Sequence, residues 1–404
     1  MSDTLHTITQ KTLPSSVKDQ KIAIVHDFLL YPGGAERVLR SLADLFPDAP
    51  IYALLYDKEK MRSMFDDREV HTSYLQKFPS FLRKRHRWLL PFMPSAPEAF
   101  DLREFDLVIS TSSAWSKALV TKLHTKHLAY IHSPMRYVWD ENVAYVKDAE
   151  EKHGFIVRSM LSYLRVWDYQ AAQRPDGLIA NSAYTQQRIE KYYRRNAEVI
   201  FPPVTDYKLP ITGSNVVNND KDLSDAEEKS LSVDKKHFLV ISRLSPYKNT
   251  ALAVEVCNKM KLPLVVIGEG KEYEALQDIA GETVQIVGYK SDEEIEKYYK
   301  KTRAFLFPCE DDFGLTMVEA LAHGVPVIAL RRGGAKEIVE EGVTGEFFDA
   351  SVAEVFADAL RRFIEKESTY STHAMVQSAE RFSQEKFRNA IVAQCEKLIN
   401  DTKK

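Results

Sequence analysis

The chain has 404 residues, too many for one hydrophobic core, so two domains of roughly 150–200 residues each are expected. Its 44% apolar and 28% charged residues describe a globular protein, and a net charge of −3 gives no basic excess of the kind a nucleic-acid binder carries. Cys257, Cys309 and Cys395 stand far apart, with neither metal-ligand nor disulfide spacing, which suits a reducing cytoplasm.

The first twenty residues, MSDTLHTITQKTLPSSVKDQ, are polar, lack the apolar centre of a signal peptide and read as a loose arm. KIAIVHDFLL then reads as a buried strand, YPGGAE as a glycine-rich turn and ERVLRSLADLF as an amphipathic helix. IYALLY, FDLVIS, KHLAYIH and GLIANS follow as short strands, with helical stretches such as AYTQQRIEKYYRR among them. Alternating strands and helices imply parallel βαβ units, so residues 21–204 form one doubly wound domain.

Within it, KFPSFLRKRHRWLLPFMP (77–94) interleaves bases with Phe, Trp and Leu, as an interfacial segment attracted to anionic lipid does. Arg83, Lys84, Arg85, Arg87 and Trp88 are the expected membrane or acceptor contacts; a helix with one solvated basic face is the plainer reading. No apolar run approaches the ~18 residues that span a bilayer. The expectation is a cytoplasmic protein that is soluble or, at most, seated on the inner face of the cell membrane.

Residues 205–236 are polar and rich in Asn, Asp and Ser, which suits an exposed linker. Alternation resumes with HFLVISRL, TALAVEVCNKM, PLVVIGEG, VQIVGY, RAFLFP and PVIALR, making 237–378 a second doubly wound domain. The last segment, 379–404, contains the helical QEKFRNAIVAQCEKLIN, for which a return to the first domain is one reading. Doubly wound sheets bind ligands beyond the carboxyl ends of their strands, so two facing sheets define a cleft.

Four motifs lie where such ligands sit. In CEDDFGLTMVEA, Glu310, Asp311 and Asp312 precede Phe313-Gly314, and Glu319 follows five residues after Gly314. If Phe313-Gly314 open a helix, its N–H groups and dipole form an anion site that Gly314 lets a phosphate approach, with Glu319 about 7.5 Å further along the axis. Acid, amides and acid in that order suit hydroxyls, diphosphate and hydroxyls, which is a sugar nucleotide; a capped surface helix is the alternative. In ISRLSPYKN, Arg243 and Lys248 offer a fork and a point charge to a diphosphate, or simply belong to a solvated loop. In YPGGAERV, Gly33-Gly34 offer amides to a phosphate or sugar, or serve a tight turn; the dinucleotide fingerprint is missing. His132 in AYIHSPMRYVWDE follows a strand and points to a cleft wall, with Arg136 and Asp140 near it in sequence, whereas Asn181-Ser182 reads as a helix cap.

The spacing of Asp311 and Glu319, eight apart with Phe-Gly between them, resembles the E-x7-E signature of retaining glycosyltransferases of the GT-B fold, family 4. HGVPVIALRRGGAKEIVEEGVTGEFF and the Arg243-x4-Lys248 pair are similar to that family too, and the resemblance covers roughly 20–400. It implies an α/β GT-B fold, two Rossmann-like domains facing across a cleft. The implied reaction is retaining transfer from a nucleotide sugar to a hydroxyl of a glycan or lipid-linked glycan, without metal or other cofactor.

Carried over, the donor sugar falls to Asp311 and His132, the diphosphate to Arg243, Lys248 and the Phe313-Gly314-Leu315-Thr316 turn, and the ribose to Glu319. Gly33 and Gly34 would close over the donor, and Gly268 and Tyr289 would approach its base. The chain departs from the pattern in carrying Asp311 rather than Glu, with Glu310 beside it, so either acid is a candidate for the sugar contact. HDFL..GGAERV, HSPMRYVWD and SRLSPYK look most like bacterial polysaccharide or O-antigen mannosyltransferases that use GDP-mannose. The one D-x-D, Asp220-Lys-Asp222, lies in the linker and reads as solvated rather than metal-binding. A sugar-nucleotide epimerase and a non-catalytic sugar-nucleotide or glycan-binding protein are the rival readings.

Overall fold

Runs rich in Val, Ile, Leu and Phe become thirteen strands among the described residues of the computed structural model, which are 13–140, 142–204 and 235–401. Every strand pairing is parallel. The chain divides into two units: one takes the residues up to Pro203 together with those from Gln384 onward, the other runs from Val204 to Ser383. The expected linker 205–236 lies outside the described residues except for its last two.

The first unit holds β1 (Ile22–Leu29), β2 (Ile51–Tyr56), β3 (Val70–Thr72), β4 (Leu107–Ser112), β5 (Lys126–Ile131), β6 (Gly177–Ala180) and β7 (Glu198–Val199), in the order β3-β2-β1-β4-β5-β6-β7. Side chains alternate across a strand, so both faces of β1 are apolar. Ile24 joins Ile51, Ile109 and Tyr130 in one core, whereas Ala23 and Val25 join Val108, Leu102 and Leu119 in another. Helix Gly34–Leu45 presents Val38, Leu39 and Leu42 to the first core at helical spacing. The same core takes Phe387, Ile391 and Cys395 from helix Gln384–Asn400, so the closing helix packs within the first unit.

Three stretches depart from the sequence reading. Ser15–Lys18, inside the expected loose arm, form a helical turn with Val17 fully buried in the first core. A helix runs from Asn142 to Ala171, buries Leu161 and Leu164, and fills a stretch that periodicity left unassigned. Residues 77–94 do not make one amphipathic helix: a single turn, Ser80–Lys84, gives way to 3-10 turns over His86–Ser95 that contain Pro91 and Pro94. Proline removes the N–H that a continuing α-helix would need.

The second unit holds β8 (His237–Ile241), β9 (Leu264–Ile267), β10 (Val284–Ile286), β11 (Thr302–Phe307), β12 (Val327–Leu330) and β13 (Gly345–Phe348), in the order β10-β9-β8-β11-β12-β13. Phe238, Val240, Val266, Leu306 and Ile328 pack against Leu252 and Val256 of helix Thr250–Met260 and Phe356, Leu360 and Phe363 of helix Ala353–Lys366. Strand order reverses once in each sheet, between β1 and β4 and between β8 and β11. Loops part at such a reversal and leave a crevice beyond the strand ends.

Candidate active site

In the second unit, the loops that leave β8 and β11 flank the reversal of strand order. The β8 loop makes a 3-10 turn, Pro246–Lys248, and enters its helix through Asn249, whose side-chain amide donates to Pro308 O at 3.1 Å. That bond ties the two loops together. Lys248 Nζ donates to Asp311 Oδ2 in an ion pair only 13% and 22% exposed on its two sides. Burial would lower the Lys248 pKa, but the Asp311 carboxylate, with Cys309 and Tyr247 near it, outweighs burial and raises it. Lys248 is therefore a permanent cation at neutral pH.

The acid loop is held from below by the loop after β12. Gly334 N donates to Asp311 O at 2.9 Å, and Gly333 has φ +58 with a Cβ position 2.2 Å from the same oxygen. Any side chain at 333 would strike the Asp311 backbone, so the glycine pair fixes the height of that loop. Gly314, at φ +97, then reverses the chain into helix Leu315–Ala322. Leu315 and Thr316 occupy its first turn, where backbone N–H groups have no partner within the helix. Glu319 lies one turn further on and is buried.

The expected donor residues of this unit thus share one end of one sheet, though not one role, whereas Gly33, Gly34 and His132 belong to the first unit. Asp311 and Lys248 are in direct contact. Glu310 is half-exposed and 4.0 Å from Arg332. Arg243, just beyond β8, is exposed. Gly268 donates its N–H to Gly288 O at 2.9 Å, which brings the β9 loop beside Tyr289, itself 65% exposed. The Phe313 ring is buried edge-on against Phe382, centroids 5.5 Å apart, and so seats the turn.

In the first unit, the loops after β1, β4 and β5 converge. Gly33 caps helix Gly34–Leu45 in an extended conformation, with Glu36 Oε2 2.7 Å from where its Cβ would be. Glu36 also lies 3.7 Å from His26 Nε2, and His26 Nδ1 bonds Thr111 Oγ1. A carboxylate over the Gly33-Gly34 amides offsets the positive pole of the helix, so this loop suits hydroxyls better than phosphate. Asp27, fully buried, accepts four backbone N–H bonds from Ser113, Ala114, Trp115 and Ser116 at 2.8, 2.7, 3.0 and 2.6 Å. Burial would raise its pKa, yet His26, the Ser116 amide and Lys117 hold it below the usual carboxylate value. Lys117 in turn meets Asp168 at 2.6 Å in an ion pair almost without exposure.

His132 follows β5, nine-tenths buried, with Nε2 unpaired among the described residues. Burial, then His26, brings its pKa down to about 3 against the opposing pull of Asp27, so the ring is neutral at physiological pH and offers a hydrogen bond, not a charge. Asp140 is engaged by Arg188 and Tyr192, and Ser182 caps helix Ala183–Tyr193 by accepting from Thr185 N at 2.9 Å. At the basic segment, Arg83 is half-buried and donates to Phe78 O at 3.0 Å, while Arg85 lies 5.5 Å over the exposed Trp88 ring. The side chains of Lys84 and Arg87 lie outside what the structure describes.

Sequence reasoning missed Asp27, Glu36, Asn249 and the Gly333-Gly334 pair. A glycine pair directly after the strand PVIALR was a usable signal; the others depend on contacts distant in sequence or on loop geometry. Among the described residues, no group of three or more His, Cys, Asp or Glu is placed to hold a metal ion.

Two family models match the chain: "Glycosyltransferase Family 4" over residues 32–206 and "Glycosyl transferases group 1" over residues 223–384. The probable sucrose-phosphate synthase of Thermosipho melanesiensis is 28% identical over 259 residues, 59% of this chain and 57% of that protein. The GDP-mannose-dependent alpha-mannosyltransferase of Corynebacterium glutamicum is 30% identical over 116 residues, 28% of each. The chain spans about half the length of the curated relatives it matches, 57% and 46% for two of them. Among solved structures, Anabaena HepE in complex with UDP and glucose shares the fold with a TM-score of 0.63 at 18% identity, over 93% of this chain and 99% of that one.

Proposed function

We propose that this chain, a GT-B protein joining a Glycosyltransferase Family 4 domain to a Glycosyl transferases group 1 domain, moves a sugar from a nucleotide-sugar donor to a hydroxyl of a glycan or lipid-linked glycan. The carrying observation is the meeting of Lys248, Asp311 and the first turn of helix Leu315–Ala322 where the strand order reverses. A cation and helix amides there suit a diphosphate, and the acids beside them suit the hydroxyls on either side of it.

In the reaction, the bond from the sugar's anomeric carbon to phosphate oxygen breaks and a bond to the acceptor oxygen forms on the same face. The departing diphosphate takes the acceptor proton. Arg243, Lys248 and the amides of Leu315 and Thr316 stabilise the charge that gathers on the leaving group, and on this reading no metal is required. Neutral His132 hydrogen-bonds the donor sugar, and Glu319 the ribose. GDP-mannose is the proposed donor, supported by the mannosyltransferase-like HDFL..GGAERV, HSPMRYVWD and SRLSPYK motifs and by the Corynebacterium relative. A lipid-linked acceptor would be met at an anionic membrane face, a reading supported by five bases and no acid over residues 70–97 and by exposed Phe81 and Trp88.

Calorimetric titration with GDP-mannose, UDP-glucose, UDP-N-acetylglucosamine and UDP-galactose, all in EDTA, tests this. GDP-mannose is expected to bind selectively and Glu319→Ala to abolish binding. Silence across the panel would remove the donor site, and selective binding of a UDP-sugar would remove GDP-mannose as donor.

A further inference from the structure

Lys248 and Asp311 are each other's counter-ion, although on the reading above they serve different parts of one ligand. The backbone of Asp311 cannot withdraw, because its carbonyl accepts from Gly334 N at 2.9 Å and a Cβ at Gly333 would stand 2.2 Å from that carbonyl. Only the side chain can move. Glu310 lies 4.0 Å from Arg332, and Arg243 is exposed.

We propose that Asp311 competes with the donor diphosphate for Lys248, so that this one carboxylate sets how tightly a nucleoside diphosphate is held and how readily it leaves. The inference rests on the donor-site reading. A diphosphate arriving at Lys248 must displace an anion already paired there. The displaced carboxylate is then released next to the sugar hydroxyls. After transfer, the carboxylate's return to Lys248 weakens the hold on the nucleotide product. A purely structural role for the pair makes the opposite prediction, since an aspartate that only holds Lys248 in place would help the nucleotide bind.

The test is calorimetric titration of GDP and UDP into the full chain as wild type, Asp311→Asn, Asp311→Glu, Lys248→Gln and Lys248→Gln/Asp311→Asn, with thermal melts confirming that each is folded. For whichever nucleotide the wild type binds, Asp311→Asn should bind roughly two- to fivefold tighter, the scale of a partly exposed ion pair. Asp311→Glu, which keeps the negative charge, should stay near wild type, and the gain should vanish in the Lys248→Gln background. Unchanged or weaker binding by a folded Asp311→Asn overturns the competition while leaving the donor site standing. A gain that persists without Lys248 also overturns it. GDP and UDP failing to bind any of the proteins removes the donor site and the competition together.

Discussion

Two buried histidines, His127 on β5 and His132 just after it, make the stability of the first unit depend on pH between 7 and 5. His127 and His132 are both buried, and burial brings each pKa down to about 3. The unfolded chain protonates them near the ordinary value of ~6.5, so below that pH the unfolded state binds more protons and is favoured. Stability from these residues is complete above pH ~6.5 and is lost progressively as pH falls toward 3. Between pH 7 and 5 the first unit should lose on the order of 1–2 kcal/mol for each. His127→Gln, which can keep the bond that Nε2 makes with Ser110 at 2.8 Å, should flatten the loss by about half. A melting temperature that ignores this pH range, or a slope the substitution leaves alone, would refute the assignment. At this scale, the grouping of Lys248, Asp311, Gly314 and Glu319 at one sheet end was legible, because each lies within a short motif. Asp27 was not, because the four amides it holds lie 86 to 89 positions away and nothing in VHDF names them.

Helix Gln384–Asn400 shows the same division among elements. Its extent was legible from a run of helix formers with apolar residues at 387, 391 and 395. Its partners follow only from the structure: Phe387 against Tyr130, Ser16 on Glu396 at 2.8 Å, and Gln384 on Ser41 at 3.1 Å. Phe387→Ala should cost the first unit about 3–4 kcal/mol through lost burial and an unfilled cavity. In a denaturant titration, its transition should shift while that of the second unit stays in place. A loss below about 1 kcal/mol would mean the helix is dispensable. The long buried strands were legible as unbroken apolar runs, whereas β3, β7 and β13, two to four residues each, offer too little pattern to read. The prolines in 77–94 were visible, yet the basic-aromatic rhythm obscured what they do to a helix.

Across the whole chain, a net charge of −3 conceals strong segregation, since residues 70–97 hold five bases and no acid. No helix among the described residues is long and apolar enough to cross a membrane. The chain should bind vesicles containing phosphatidylglycerol, more weakly as salt rises. Replacing Arg83, Lys84, Arg85 and Arg87 together by Ser should remove about 1 kcal/mol per base. Flotation that survives the quadruple change would dismiss this segment as the anchor. Composition and alternation made the two-domain α/β plan legible at this scale; the assignment of the closing helix to the first unit needed three-dimensional contacts.

That assignment bears on how the protein is born. The first unit takes one part of its core from residues before Pro203 and another from residues after Gln384, whereas the second is a single uninterrupted stretch. In the order of synthesis, the last residue of the second unit therefore precedes Phe387, Ile391 and Cys395 of the first. The usual order, in which the N-terminal domain folds first during synthesis, is reversed for the final closing step. Until translation passes residue 395, the nascent first unit exposes an apolar sheet face, the kind of surface that chaperones engage.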